Sequence, residues 1–376
     1  MKNTKGNVLI TIIIVILIVI VLSGIGFGVY KICFDSKQTI NNTEFIEGVE
    51  ISNNAQEDDT LNTIDNDVTA PIIKEPDENA IPSETVAARY YYNQLDVYGK
   101  AIYDKLKQNK EQLITGTYVF NFGTNFNTLL HTEQGAETLN KSFQSAWNAF
   151  SYDEAGLFYI DIKKMNLINE SRTLGGITTY YISIGPGDNK NYLQDNFQTK
   201  ESIEKAQKFI DNIVRQIVQQ TKNDNNVKRV KKVHNWMIEA IEYDSSETSA
   251  NKYDIYGAIH DKKAVCEGYA RSFKYIMERI GVPCVLVSGT AQNQEGDLEP
   301  HAWNYVQIEN QWYAVDVTWD DPVITGGGTL TDQERYRFFL KGSDEFFVDH
   351  TQSGELSENS MRFSLPILST TNYENY

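Results

Sequence analysis

The hydropathy pattern of the chain begins with one long apolar segment. No residue in 6–30 is charged, and residues 8–22 are apolar apart from Thr11. This length is sufficient for a single helix across a bilayer about 30 Å thick. Lys2 and Lys5 precede the segment and an acidic stretch follows it, so the positive-inside rule predicts a cytoplasmic N-terminus. Residues 1–34 are therefore predicted to be a transmembrane anchor, with the rest of the chain extracytoplasmic.

A cleaved signal peptide is the alternative interpretation of the same segment. The run is longer than an ordinary signal-peptide core and no A-x-A cleavage pattern follows it, which favours the anchor. Both alternatives predict an exported protein, either attached to the membrane or secreted. Residues 35–84 are rich in Asn, Asp, Glu and Thr and poor in aromatic residues. Such a composition is typical of a disordered linker.

A change in periodicity near residue 85 predicts the start of a folded region. Apolar residues at intervals of three and four between 91 and 106 predict a helix. Residues 85–220 are predicted to form an α/β region of unknown role. Helical spacing recurs in 135–150, 203–218 and 226–241, and β-branched and aromatic runs predict strands at 117–122, 157–162 and 178–184.

The segment 264–322 contains the most informative pattern. Apolar residues at offsets of 4, 7, 8 and 11 from Tyr269 predict a helix that begins at or next to Cys266 and ends near Ile280. A buried strand at 284–289 and a hairpin with its turn at 309–310 are predicted to follow. Pairing of residues whose numbers sum to about 619 makes His301 and Asp316 diagonal neighbours in that hairpin.

These positions suit a cysteine nucleophile and its base. A thiol at a helix N-terminus lies near free N–H groups and the positive end of the helix dipole, which favour the thiolate and can stabilise an oxyanion. An imidazole oriented by a carboxylate completes the arrangement. A small buried residue is the commoner role of a lone cysteine, and that is the interpretation given to Cys284. Asp320 and Asp321 are alternatives to Asp316 as the orienting acid.

The local motifs resemble the bacterial transglutaminase-like superfamily. They are Ala-Val-Cys266-Glu-Gly-Tyr-Ala, His301-Ala-Trp-Asn and Asp316-Val-Thr-Trp-Asp-Asp-Pro, with weaker likeness in 233–244. The resemblance implies a papain-like α+β fold, in which a helix with the cysteine at its N-terminus packs on an antiparallel sheet. It further implies a Cys266, His301 and Asp316 triad that acts through a thioester intermediate. The expected core is 221–360, followed by a C-terminal tail at 361–376.

Four further residues are assigned roles outside the triad. Tyr243 and Trp319 are predicted to line the substrate cleft or the oxyanion site. Trp303 is interpreted as a core residue, and His234 as a structural one.

Composition and charge narrow the function further. The net charge of −17 argues against a nucleic-acid ligand, because phosphate binding needs clustered Lys and Arg. Three cysteines do not make a disulfide framework, and five scattered histidines do not predict a metal site. No cofactor is implied.

The expected partner is a protein or peptide substrate, including cell-wall peptide, whose amide is either hydrolysed or has its acyl group transferred to an amine. A catalytically inactive binding or envelope scaffold module with the same fold is the alternative.

Overall fold

The structure is a computed structural model that describes residues 89–246, 249–293, 295–321 and 331–376. The anchor predicted at 1–34 and the linker predicted at 35–84 lie outside these residues. None of the helices in the described ranges is both long and apolar enough to cross a membrane. The main helices are α1 Val97–Gln108, α2 Gly135–Asp153, α3 Lys200–Thr221, α4 Asn226–Ala240 and α5 Cys266–Arg279. The strands are β1 Phe120–Gly123, β2 Asn166–Leu174, β3 Ile177–Gly185, β4 Glu242–Tyr243, β5 Lys263–Ala264, β6 Cys284–Gln292, β7 Leu298–Ile308, β8 Gln311–Val315 and β9 His350–Ser353.

The N-terminal region combines α1 and α2 with a three-stranded antiparallel sheet in the order β1-β3-β2. Helix α2 packs against α1, and both present a buried apolar face. The strand predicted at 157–162 is wrong. Phe158, Tyr159 and Ile160 are all buried in succession, whereas a strand on a single sheet face would alternate buried and exposed residues. Only Ile160 forms an isolated bridge, to Leu193.

The C-terminal region contains a four-stranded antiparallel sheet in the order β8-β7-β6-β9, with α5 packed against β6 and β7. Its hairpin has the predicted register, because Asn304 pairs with Val315. Glu309 and Asn310 form the two-residue turn and both have positive φ angles, of 51° and 65°. Such angles belong to the turn type that matches the twist of the flanking strands.

The position of Asp316 differs from the one expected in the predicted hairpin. It does not lie inside the second strand, because β8 ends at Val315. The N–H of Asp316 donates instead to the carbonyl of Phe338, which lies on a segment that continues towards β9. Asp316 thus stands at the end of the strand, where its carboxylate is free to accept backbone N–H groups from the following turn.

The two regions share one hydrophobic core. Asp153, the last residue of α2, accepts hydrogen bonds from the N–H groups of Tyr91 and Tyr92 and from the hydroxyl of Tyr103. The hydroxyl of Tyr91 in turn donates to the carbonyl of Leu286 on β6, at 2.5 Å. The predicted tail also packs against the C-terminal sheet, where Leu368 bridges to Trp312. Residues 89–220 are therefore fastened to the sheet that carries His301.

Replacement of Asp153 by alanine should destabilise the protein. Two backbone donors and a buried phenol would lose their acceptor, and unsatisfied buried donors cost about 1–3 kcal/mol each. We expect a loss of about 2–4 kcal/mol in the free energy of unfolding, because partial solvation of Tyr92 offsets some of the penalty. Denaturant titration measures this change in the free energy of unfolding. The exposed Asp188→Ala is the control, and an equal effect of both changes would contradict the assigned role.

Candidate active site

Cys266 is the first residue of α5 and is half-buried. Val265 precedes it as the N-cap and supplies no side-chain acceptor to the first turn. Helices α3 and α4 differ, since Thr199 and Asn225 cap them with side-chain oxygens. The first N–H groups of a helix have no partner within it. At the start of α5 they remain available to a ligand next to the thiol.

A close backbone contact fixes the start of α5. The N–H of Val265 donates to the carbonyl of Lys252 at 2.9 Å. A Cβ atom on Gly268 would lie 2.4 Å from the same carbonyl oxygen, so only glycine allows this approach. The short parallel bridge between Tyr243 and Ala264 holds β4 beside the same turn. These contacts determine where the thiol stands.

His301 lies on β7, opposite Gly289 of β6. Its Nε2 donates to Asp316 Oδ2 at 2.7 Å, and both side chains are almost completely buried. Because Nε2 is engaged with Asp316, Nδ1 is the ring nitrogen left to exchange a proton with Cys266. The Cys266 side chain lies near enough to the ring to raise its pKa. The structure thus brings Cys266, His301 and Asp316 together in the order proposed from the sequence.

Backbone donors hold the Asp316 carboxylate in its charged form. Its Oδ1 accepts the N–H groups of Thr318 at 3.0 Å and Trp319 at 3.2 Å. Burial opposes the charge, but the adjacent His301 and the hydrogen bonds hold the pKa of Asp316 well below its usual range. An ionised carboxylate with several donors is the form that can orient and stabilise an imidazolium.

The imidazole of His301 responds to this carboxylate. Burial by itself lowers the pKa of His301, but the charge and hydrogen bond of Asp316, with a further contribution from Cys266, raise it to about 10. At neutral pH the ring is therefore protonated. A protonated imidazole beside Cys266 favours the thiolate, which is the reactive form of cysteine.

His350 is a member of the site that the sequence analysis missed. It is fully buried, and its Nε2 lies 3.2 Å from the same Asp316 oxygen that His301 contacts. Its Nδ1 lies 2.6 Å from Asp349 Oδ1, and its ring stacks on Phe346 at 4.0 Å. His350 follows Asp316 by 34 residues and reaches it because β9 pairs with β6. No local sequence motif predicts such a contact.

The two aspartates considered as alternatives have other partners. Asp320 contacts the Nε2 of His234 at 2.9 Å, and both residues of this pair are fully buried. Asp321 accepts a hydrogen bond from the hydroxyl of Tyr269 at 2.7 Å. His234 thus belongs to a separate buried pair and not to the group around Cys266. Among these three aspartates the structure places Asp316 against His301.

The remaining predicted residues divide between cleft and core. The Trp319 ring is half-buried and lies 4.9 Å from the His301 ring. Tyr243 is 38% exposed, and partial burial followed by the charge of Cys266 raises the pKa of its phenol. Trp319 therefore lies next to the imidazole, and Tyr243 lies on the side of the thiol. Trp303 is buried and belongs to the core. Cys284 is also buried, and burial raises the pKa of its thiol well above its usual range.

One group of side chains has the composition of a metal site. His301, Asp316 and His350 each offer a ligand atom, and these atoms lie within 4.8 Å of one another. However, the 2.7 Å between His301 Nε2 and Asp316 Oδ2 is a hydrogen-bond distance. Two ligands about 2.0–2.2 Å from a tetrahedral zinc ion would be farther apart. Hydrogen bonding accounts for the arrangement as it stands, and a metal ion would have to separate these atoms.

Residues 211–317 match the model of a family described as the transglutaminase-like superfamily. The chain contains a transglutaminase-like domain. Members of this superfamily are generally cysteine-dependent acyltransferases or proteases. The matched range includes the cysteine, the histidine and the aspartate of the candidate site.

Two curated proteins match part of the chain. The kyphoscoliosis peptidase of Homo sapiens is 28% identical over 156 residues, and that of Mus musculus is 28% identical over 152 residues. The matches cover 39% and 38% of this chain but 22% of each relative. The chain thus spans about a fifth of the length of these relatives.

Solved structures show limited similarity. The crystal structure of a TGase has a TM-score of 0.29 at 18% identity, and the match covers 47% of this chain and 50% of that chain. A putative cysteine protease from Cytophaga hutchinsonii has a TM-score of 0.24 at 12% identity, and the match covers 43% and 69% of the two chains.

Asp316→Asn should change the titration of His301. Without the carboxylate, burial is opposed only by the smaller contribution of Cys266, so the pKa of His301 should fall well below about 10. NMR of imidazole-labelled protein as a function of pH measures this change. The wild-type ring should remain protonated from pH 6 to 9. A ring that titrates near 6.5 in both proteins would show that Asp316 does not act on it.

His350→Phe should slow reactions of Cys266 about tenfold, or about 1.4 kcal/mol of activation free energy. Phenylalanine keeps the stacking on Phe346 but removes a hydrogen-bonding partner of Asp316, which then holds His301 less firmly. The rate of Cys266 alkylation at pH 7 measures the effect. His350→Gln, whose amide can still donate to the carboxylate, should retain most of the rate. A His350→Phe protein as reactive as wild type would exclude a positioning role.

Proposed function

We propose that this protein is a cysteine-dependent enzyme that attacks amide bonds of protein or peptide substrates through a thioester. Cys266 is the nucleophile, His301 the general acid and base, and Asp316 the residue that orients the imidazole. The observation that supports this proposal most strongly is the position of His301. It is buried between the thiol and an ionised carboxylate, and its pKa is raised to about 10.

The first chemical step forms the thioester. The Cys266 sulfur attacks the amide carbon, and the electron pair of the carbonyl π bond moves to its oxygen. The N–H groups at the start of α5 are in place to stabilise this oxyanion. His301 then gives its Nδ1 proton to the departing nitrogen, the carbon–nitrogen bond breaks, and ammonia or an amine leaves. Asp316 remains ionised throughout and holds the ring in position.

The second step releases the acyl group. Neutral His301 takes a proton from an incoming water or amine, which attacks the thioester carbon. The carbon–sulfur bond breaks and the thiolate of Cys266 is regenerated beside the imidazolium. Water gives hydrolysis and an amine gives cross-linking. The matched human relative is named a peptidase, which agrees with hydrolysis as one outcome of this step.

Tyr243 and Trp319 complete the proposed cleft. Tyr243 is held beside residues 264–266 by the bridge between β4 and β5, with part of its ring exposed. Its phenol can donate a hydrogen bond to a substrate carbonyl. Trp319 lies over the His301 ring and limits the access of water to it. Both roles remain part of the proposal.

The proposed location of the enzyme rests on the sequence of its N-terminal segment. We propose that residues 1–34 anchor the protein in the cell membrane and that the domain acts outside the cytoplasm, where peptide and cell-wall amides are available. Secretion after signal cleavage is the alternative. A catalytically inactive surface or scaffold module is less consistent with the site, because binding alone does not require a coupled thiol, imidazole and carboxylate.

Thiol alkylation at pH 7 tests the proposed coupling. We expect iodoacetamide to label Cys266 at least ten times faster than a free cysteine, whose thiolate is scarce at this pH. His301→Ala should abolish the advantage. Mass spectrometry distinguishes Cys266 from Cys284, which is buried and serves as the internal control. Slow labelling that His301→Ala does not affect would favour the inactive binding module.

A further inference from the structure

A cavity of about 320 Å³ lies beside the helix that begins at Cys266. Its lining includes Glu267 and Arg271 of that helix, together with residues of the N-terminal region. Ligand sites in proteins commonly enclose 300–1,000 Å³. A cavity of about 150 Å³ suffices to bind benzene in another protein. This cavity is therefore large enough for one bulky side chain.

The cavity has one wall from each region of the protein. The N-terminal region contributes α2 and the loop after it, and the C-terminal region contributes the start of α5 and the segment around Tyr253. Arg271 Nη1 donates to the carbonyl of Ser151 at 2.8 Å, and Asn196 donates to Asn251 at 2.6 Å. These contacts hold the two walls together, so the cavity does not exist without residues 89–220.

Large apolar side chains form much of the cavity lining. Six of them contribute to it: Trp147, Leu157, Phe158, Ile160, Ile162 and Tyr253. Arg271 is paired with Glu267 at 2.8 Å. Asp254 accepts the N–H groups of Tyr256 and Gly257. Asp161 accepts the backbone N–H of Lys163, whose side chain is exposed to solvent at the rim. Away from that rim, Arg271, Glu267 and Asp254 are already engaged, so a charged guest there would be desolvated without compensation.

The C-terminal wall of the cavity is hydrogen-bonded to the turn that precedes Cys266. Lys252, next to Tyr253, holds the N-cap Val265 and lies against Gly268. Tyr253 also contributes to the electrostatic environment of Tyr243, which senses the charge of Cys266. The segment that carries Tyr253 thus adjoins the turn from which α5 begins at Cys266.

We propose that this cavity is a subsite that binds an uncharged aromatic side chain of the peptide substrate, close to the amide that Cys266 attacks. The proposal rests on the function proposed above and adds its substrate class: peptides with a bulky apolar residue near the reacting amide. It also gives residues 89–220 a role, because this region supplies half of the pocket that selects the substrate.

The test uses the full-length protein and a pair of N-acetyl dipeptidyl chloromethyl ketones that carry phenylalanine or alanine, with each of the two positions varied in turn. Burial of a phenylalanine side chain contributes about 1.5–3 kcal/mol. The phenylalanine reagent should therefore label Cys266 at least about tenfold faster than the alanine reagent at one position. Ala250 is exposed and lines the cavity, so Ala250→Trp should obstruct the pocket without disturbing the fold. It should reduce the preference to below about threefold.

Two further variants make the result specific. Ala136→Trp, at an exposed position on α2 away from the cavity lining, is the matched control and should keep the preference. Leu157→Ala widens the cavity and should shift the preference from phenylalanine to naphthylalanine. Equal labelling by both reagents at both positions, or a preference that Ala250→Trp leaves unchanged, would overturn the subsite.

Iodoacetamide separates this proposal from the proposed function. The reagent is too small to need the cavity, so Ala250→Trp should leave its reaction with Cys266 unchanged. Slow iodoacetamide labelling that is independent of His301 would contradict the enzyme itself. Fast, His301-dependent labelling without side-chain preference would contradict only the subsite.

Discussion

The buried charge of Asp316 is the constraint on which the site depends. A carboxylate removed from water is costly unless it is fully hydrogen-bonded and paired. Two backbone N–H groups satisfy one oxygen, and His301 and His350 both contact the other. The charge in turn keeps the His301 ring protonated despite its burial. The reactivity expected of Cys266 therefore depends on Asp316, which acts on the thiol through His301.

The fold supplies each partner of this carboxylate from a different element. The β7–β8 hairpin brings His301 and the end of β8 together, and the turn after Asp316 provides the backbone donors. Strand β9 adds His350 by pairing with β6. Helix α5 packs across the same sheet and presents Cys266 at its uncapped N-terminus. Rigid strands and a helix thus hold groups that must remain within hydrogen-bonding distance, which suits a preorganised site.

The parts of this arrangement that were predictable from sequence are those with local patterns. The helix from Cys266 follows from its apolar period, and the hairpin register follows from two alternating runs around a two-residue turn. His350 was not predictable, because its contact with Asp316 depends on a long-range strand pairing. Strand β2 was missed because much of it is polar and exposed, so hydropathy is uninformative there. The segment 157–162 resembles a strand in composition, but tertiary packing buries its residues in succession.

We propose that Cys266 forms a thioester with an amide substrate. Intact-mass spectrometry of the protein, mixed rapidly with a peptide that it processes, detects this intermediate. We expect an acyl adduct on Cys266 that hydroxylamine removes and that Cys266→Ser does not form. Continued processing of the same peptide by Cys266→Ala, with no adduct on the wild-type thiol, would contradict it.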